Sequence, residues 1–301
     1  MQNRMFSVFL IILLPPIMMN SIIPKFYINR SLWEARELPS RIYGWVAFST
    51  ASIVGEIPAA ILTSTIYWLC WYYPTGLPTD SSSAGYMYLM TMLFYLFQMS
   101  WGQWVTAFAP SFTVISNVLP FFLVMVFFFN GVFRPYAAFP VFWRYWMYYV
   151  NPVTYWIRGS LAGTVRSAVV ICSPVELSHF NPPPNMTCRD YAGDFVSKIA
   201  RSGYLGNPDA TSDCTYCAFS SGDEYLRTLN VQSDDKWKCM GIFLAFCIIN
   251  WALVYFFIYT TRIRGWSFGL GFVISSISGA IGAVKGGIVS LFKGGKKSEK
   301  A

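Results

Sequence analysis

The longest stretch of this chain without a charged residue runs from Ser81 to Phe133 and contains 53 residues. Met5–Pro24 and Cys239–Thr261 are also free of charge, and Ile42–Thr79 contains only Glu56. A helix that crosses a bilayer needs about 20 mainly apolar residues, and in lipid the backbone must satisfy its own hydrogen bonds. Only 12% of the residues are charged, against about 25% in soluble domains. The sequence therefore predicts an all-α integral membrane protein and excludes soluble enzymes, nucleic-acid-binding domains and disordered chains.

The apolar runs predict five spanning helices, at about residues 5–24, 58–73, 86–109, 112–133 and 240–260. The 53-residue run is long enough for two helices, and Pro110-Ser111 marks the turn between them. Residues 45–57 are expected to form a helical approach to the second span. The aromatic segment that follows the fourth span, from Phe142 to Leu161, predicts short re-entrant helices, with a complete extra span as the alternative.

Basic residues predict the orientation, since short cytosolic loops are rich in Lys and Arg. Residues 25–44 contain four such residues and the chain from Thr261 onward contains seven, whereas 74–85 contains none. This places segment 25–57 and the C-terminus in the cytosol and the loop 134–238 outside. Residues 265–301 combine an apolar helical face with terminal lysines, which predicts an amphipathic basic tail lying in the membrane interface. A sixth span is the alternative for this tail.

Four of the seven cysteines lie in the predicted extracellular loop: Cys172, Cys188, Cys214 and Cys217. Because the extracellular side oxidises thiols, two disulfides are expected. A zinc or redox site at Cys214-x-x-Cys217 is the alternative, but the chain has one histidine, His179. The same loop carries the glycosylation acceptor Asn185-Met-Thr. The second acceptor, Asn29-Arg-Ser, falls on the predicted cytosolic side and is expected to remain unmodified.

Several side chains in the third and fourth predicted spans, most of them polar, are candidates for the wall of a pathway. Amides and hydroxyls in lipid usually join helices, but they can also line a cavity for amphipathic molecules. Both interpretations apply to these candidate lining residues: Gln98, Gln103, Ser116, Asn117, Phe128 and Asn130.

The predicted cytosolic segment places Glu34, Arg36 and Glu37 beside an aromatic residue, Trp33. Such a segment is either a docking surface for a soluble partner or a solvated connector. The sequence has no phosphate-binding G-x-x-x-x-G-K-[ST] motif, and one histidine cannot form a multi-histidine metal site. We therefore expect no catalytic residues, no metal site and no enzymatic activity in this chain.

Taken in order, the motifs of residues 2–264 resemble the second membrane domain of fungal pleiotropic drug resistance ABC transporters, which are ABCG-like exporters. The matching segments are Gln2–Phe9, Trp33–Arg41, Glu56–Pro58, Asn130–Pro135, Phe142–Tyr145, Asn151–Tyr155, Gly206–Pro208 and Cys214–Cys217.

The resemblance implies a type-2 ABC exporter fold with six helices, of which the first would precede this chain. Glu34, Arg36 and Glu37 would couple the domain to a nucleotide-binding domain. The disulfides would be nested, Cys172 with Cys217 and Cys188 with Cys214.

The implied activity is ATP-driven export of hydrophobic drugs, toxins or lipids at the plasma membrane. ATP and Mg²⁺ would bind domains outside this chain, which would hold no cofactor itself. The implied partners are nucleotide-binding domains, a second membrane half and the lipid bilayer, and the chain alone would be inactive. The alternative is a non-transporting membrane fragment with a regulatory or lipid-organising role.

Overall fold

The structure, a computed structural model, describes residues 2–134 and 136–266, and helices form most of this part. The expectation for the tail therefore falls, from residue 267 onward, outside the described residues. The predicted all-α fold class is confirmed, with one small β-sheet added in the loop that precedes the last helix.

The first helical stretch consists of α1 (Gln2–Leu10) and α2 (Pro15–Leu32), and a π-helical turn, Trp33–Glu37, continues α2. The sequence predicted a span of about residues 5–24, and the helix extends beyond residue 24. It continues because Phe26 is buried, while Lys25 lies at the surface and forms an ion pair of 2.5 Å with Glu56. Only residues 38–44 of the predicted cytosolic loop 25–44 lie outside helices.

Five more helices follow the pattern predicted from the sequence. The predicted helical approach is α3 (Trp45–Val54), and the run 58–73 corresponds to α4 (Ile57–Tyr72). The 53-residue run forms α5 (Ser81–Phe108) and α6 (Phe112–Phe128). The last, Lys236–Phe257, ends in a π-helical turn, Ile258–Ile263.

Within residues 2–134 and 136–266, three helical stretches are long and apolar enough to cross a membrane by length and composition: Met5–Glu37, Trp45–Tyr72 and Lys236–Ile263. The apolar helix α6 is shorter. Most side chains of α5 are buried within the protein, and α5 packs against α2, α4 and the Lys236–Phe257 helix. Because protein rather than lipid surrounds it, α5 can carry amide and hydroxyl side chains in its middle turns.

Short helices follow α6. They are α7 (Val141–Trp143), which continues into a π-helical turn at Arg144–Tyr148, and α8 (Pro152–Val165). Helix α8 packs against α5 so closely that a Cβ atom at Gly163 would lie 2.5 Å from the ring of Tyr86. A glycine is therefore required at this contact.

The loop between α8 and the last helix contains α9 (Cys188–Asp194), α10 (Gly222–Thr228) and three strands. Strand β3 (Cys214–Cys217) pairs antiparallel with both β1 (Ser178–Phe180) and β2 (Tyr204–Leu205). Two disulfides, Cys172–Cys217 and Cys188–Cys214, join its ends to the preceding chain. This is the nested pairing that the resemblance implied. The helix Lys236–Phe257, which follows this loop, is α11.

Candidate ligand pocket and the charged cluster

A cavity of about 560 Å³ lies between α5, α6, α11 and the aromatic segment 143–152. This volume falls in the range of sites for small molecules. Among the residues that the structure describes, those lining the cavity include none with an ionisable side chain. They are Phe97, Trp101, Trp104, Phe121, Phe122, Met125, Val126, Trp143, Trp146, Met147, Val150, Asn151, Pro152, Phe246 and Asn250.

The helix period places the rings on one wall. Phe97, Trp101 and Trp104 recur at spacings of four and three, so they share one face of α5. Trp143 and Trp146 stack on the opposite side with ring centroids 5.6 Å apart. Aromatic rings thus form a large part of the wall.

Asn151 fixes the aromatic segment to α6. Its Oδ1 accepts a hydrogen bond from the backbone N–H of Val153 (3.0 Å) and so caps α8, while its Nδ2 donates to the carbonyl of Val126 (2.9 Å). Both ends of this amide are therefore occupied, and Asn151 positions the wall instead of contacting a ligand.

Asn250 supplies a free hydrogen-bond acceptor at the wall. Its Nδ2 donates to Ser100 Oγ (3.2 Å) and joins α11 to α5. Asn250 lines the cavity. Within the described part of the chain, its Oδ1 accepts no hydrogen bond. A ligand with one N–H or O–H group could bind there.

The six candidate lining residues from the sequence are not on this wall. Gln98 and Gln103 are fully buried in the bundle; Gln103 Nε2 donates to the Ser52 carbonyl (3.0 Å) and joins α5 to α3, while the Gln98 amide has no partner among the described residues. The pattern showed that these helices carry polar groups, but not which face each group occupies.

The other candidates lie on or just after α6. Ser116, Asn117 and Phe128 are exposed on its surface. Asn130 is buried and closes the turn after α6, since its Nδ2 donates to the carbonyl of Phe127 (2.7 Å) and its Oδ1 accepts from the N–H of Val132 (3.0 Å).

The three predicted coupling residues point in different directions. Arg36 is exposed, and Glu37 accepts a hydrogen bond from the Tyr43 hydroxyl, which raises the pKa of Tyr43 to about 12. Glu34 instead faces the bundle, where its Oε1 lies 3.2 Å from both Arg30 Nε and Arg262 Nε. Glu34, Arg30 and Arg262 are called the charged cluster below.

Sequence reasoning missed Asn250 and Arg30. Asn250 is a lone amide in an apolar helix, and that isolation is the signal that could have identified it. Arg30 is buried, with 2% of its surface exposed, although it is one of the basic residues that the sequence assigned to a cytosolic loop. Nothing in the local sequence distinguishes Arg30 from its exposed neighbour Arg36.

The loop carries the remaining predicted site residue, Asn185. It is exposed, and it adopts a positive φ of 66° in the turn after three prolines. In the same loop, His179 Nδ1 lies 2.7 Å from Asp213 Oδ1, and this hydrogen bond to the carboxylate raises the pKa of the imidazole. The described residues contain no group of three potential metal ligands.

Residues 1–164 match the ABC-2 type transporter family, and the chain belongs to this family. The chain is therefore an integral membrane protein, and the resemblance found in its motifs is confirmed.

Comparison with individual proteins also supports membership of this family. The chain is 66% identical over 300 residues to the ABC multidrug transporter atrF of Aspergillus flavus, and 65% identical over 301 residues to the protein of the same name from Aspergillus fumigatus. It is also 34% identical, over 87% of its length, to the brefeldin A resistance protein of Schizosaccharomyces pombe. The chain spans 19% of each Aspergillus protein and 17% of the third.

Proposed function

We propose that this chain is a membrane half of an ATP-driven exporter of hydrophobic and amphipathic compounds, and that it forms part of the translocation pathway. The observation that carries the proposal is the uncharged aromatic cavity between α5, α6 and α11. The names of the relatives, which describe multidrug transporters, support it.

The wall of the cavity suggests which compounds bind. Lipid tails are as apolar as the cavity, so burial alone discriminates little between a ligand and a lipid. Aromatic contacts contribute about 0.5–1.5 kcal/mol each beyond burial, and the Asn250 acceptor adds a hydrogen bond that a lipid tail cannot make. We therefore expect aromatic amphiphiles with one hydrogen-bond donor to bind better than aliphatic ones.

ATP and Mg²⁺ would be bound by partner domains rather than by this chain. Arg36 is exposed beside Glu37 on the turn 33–37, which suits a contact with a nucleotide-binding domain. A second membrane half would complete the pathway.

The proposed topology places residues 25–57 in the cytosol and the disulfide-bonded loop outside, at the plasma membrane. The exposed Asn185 would then carry a glycan and Asn29 would not. A glycosidase-sensitive mass shift that disappears in Asn185→Gln, but not in Asn29→Gln, supports this orientation; the reverse result contradicts it.

Binding can be tested on the chain in lipid nanodiscs. Val126→Trp places a large ring in the cavity, and we expect the affinity for an aromatic dye to fall at least about tenfold, because the added ring occupies the ligand volume. Val118→Trp is the matched control, since Val118 is exposed on the same helix and does not line the cavity. Equal affinities of both variants and the wild type would contradict a ligand site here.

Transport needs the assembled protein. Dye efflux is measured from cells that produce the chain with and without a partner half and nucleotide-binding domains. We expect efflux only with the partners, and we expect Val126→Trp to reduce it. Efflux by the chain alone would refute the proposed dependence on partners. If cells show no efflux either with or without the partners, a non-transporting role is favoured.

A further inference from the structure

A second cavity lies in the disulfide-bonded loop. Its volume is about 400 Å³, and its walls come from β1, β3, α9 and the π-helical turn Phe195–Ala200 that continues α9. Four aromatic residues line it: Phe180, Tyr191, Phe195 and Tyr216. It is called the loop cavity below. The loop cavity shares no lining residue with the ligand cavity between α5, α6 and α11, so it is a separate candidate site.

The four rings form two contacting pairs. The ring centroids of Phe180 and Tyr191 are 6.1 Å apart, and those of Phe195 and Tyr216 are 6.0 Å apart. Tyr216 is fixed in place, because its hydroxyl donates to the Ser202 carbonyl (3.0 Å). Tyr191 and Phe195 are each about half exposed. Large apolar groups that are left open together often mark a binding site.

The walls of the loop cavity are held together by a disulfide. Cys188 is the first residue of α9 and Cys214 is the first residue of β3, and the two are bonded. The backbone N–H of Cys188 also donates to the Ala210 carbonyl (2.8 Å). The loop cavity is therefore preformed, which reduces the entropic cost of binding a ligand.

The chemistry of the loop cavity suits a sugar. A pyranose ring has faces of C–H groups, which pack on aromatic rings, and an edge of hydroxyl groups. Ser178 and Tyr191 contribute hydroxyl groups to the lining, and hydroxyls both donate and accept hydrogen bonds. Within the described part of the chain, the lining carries no acidic or basic side chain. A neutral carbohydrate therefore fits better than an anion or a metal ion.

A glycan acceptor lies close to the loop cavity in the chain. Asn185 belongs to the connection between β1 and α9, five residues after Phe180, so their Cα atoms are at most about 18 Å apart. Asn185 is exposed and does not itself line the loop cavity. A sugar on such a short tether has an effective concentration on the order of millimolar. A glycan on Asn185 would therefore occupy the loop cavity more readily than a free sugar.

We propose that the loop cavity binds the core sugars of an N-glycan carried by Asn185, and that the bound glycan fixes β1 against α9. The inference rests on the proposed topology, which places this loop outside the cell. The glycan would cover the open rings of Tyr191 and Phe195 and act as a structural part of the loop. The loop should consequently open less often when it is glycosylated.

The test measures hydrogen exchange on the full chain, produced in a glycosylating eukaryotic cell and placed in lipid nanodiscs. One sample keeps its glycan, a second is trimmed by an endoglycosidase to the first sugar, and a third is treated with peptide N-glycosidase. We expect exchange in β1 and α9 to be about threefold to tenfold faster in the last two samples, the range of one aromatic contact. Exchange in α5 should not change.

Two variants on one turn separate binding in the loop cavity from other effects of the glycan. Phe195→Ala removes a ring of the lining, so removing the glycan should no longer change the exchange in β1 and α9. Ile199→Ala is the matched control, since Ile199 is 73% exposed and does not line the loop cavity; there the effect of the glycan should remain. Asn185→Asp has the same polypeptide as the third sample and tolerates the positive φ, so it should match that sample.

The mass of each sample shows whether Asn185 carries a glycan. A glycosylated chain with equal exchange in all three samples would overturn the inference and leave the proposed topology intact. Full protection by the first sugar alone, or in Phe195→Ala, would also overturn it, because the glycan would then act outside the loop cavity. A wild-type chain without a glycan at Asn185 would instead contradict the proposed topology itself.

Discussion

The helical bundle and the disulfide-bonded loop of this protein are held together by different interactions. In the bundle, apolar side chains pack in one large cluster, and few side chains donate hydrogen bonds between helices, among them Trp156 to the Met90 carbonyl (2.9 Å). In the loop, two disulfides enclose a three-stranded sheet. Side-chain caps begin its helices, as Thr187 and Asp190 do for α9.

The difference follows from the solvent of each region. Lipid provides no hydrophobic driving force between helices, so the bundle depends on close packing and a few polar contacts. In the proposed topology the loop faces water outside the cell; it is too small to bury a sizeable core, and small extracellular folds compensate with disulfides. A change of packing should therefore damage the bundle most, and a change of cross-linking should damage the loop.

The largest expected effect is that of Trp156→Ala in the bundle. Trp156 is fully buried against Phe94, with ring centroids 4.8 Å apart. Its removal leaves a cavity and should lower the free energy of unfolding by about 3–5 kcal/mol, as measured by denaturation in mixed micelles.

Trp146→Ala is the control for this prediction, because Trp146 is 44% exposed and lines the ligand cavity. It should weaken dye binding with little change in the unfolding curve. If both variants unfold alike, close packing does not hold the bundle.

The second effect is confined to the loop. Replacing Cys188 and Cys214 with serine opens a disulfide that spans 26 residues, and the chain-entropy relation gives a loss of about 3.5 kcal/mol. Hydrogen exchange should become faster in β1 and β3 and remain unchanged in α5. Cys70→Ser, at an exposed free cysteine, should change neither region, and faster exchange in α5 would show that the two regions do not fold independently.

The smallest effect concerns protonation at the edge of the sheet. His179 is the only histidine, and its hydrogen bond to Asp213 raises its pKa above 6.5. Since the folded-state pKa is raised, the pair stabilises the loop fully below pH 6.5 and loses this contribution as the pH rises through the folded pKa. An NMR titration should give a midpoint above 6.5 that Asp213→Asn lowers; an unchanged midpoint would contradict the pairing.

The sequence was most informative where one physical constraint acts alone. The charge-free runs coincide with long helices, as expected if lipid excludes charges whatever the tertiary contacts are. The same argument does not show how far the first helix extends: Lys25 was expected in a loop, whereas it lies within α2 and forms an ion pair with Glu56.

The cavity and the charged cluster depend on contacts between distant residues. Arg30 and Ala109 are 79 residues apart in the chain, and no local pattern shows that an arginine in one helix will cap the end of another. Ser116 and Gln98 were chosen for polarity alone, whereas the cavity is lined largely by aromatic rings that were not among the candidates. Only the fold decides which of these side chains share a wall.

The nested disulfides have a consequence for biosynthesis. Cys214 and Cys217 stand at the two ends of one strand, and four cysteines can be paired in three ways. The two other arrangements would link Cys214 either to its near neighbour Cys217 or to Cys172, and neither gives the observed bonding of β3. We expect maturation of this membrane protein to depend on a disulfide isomerase, with early oxidation products held back until thiol exchange produces the nested pairing.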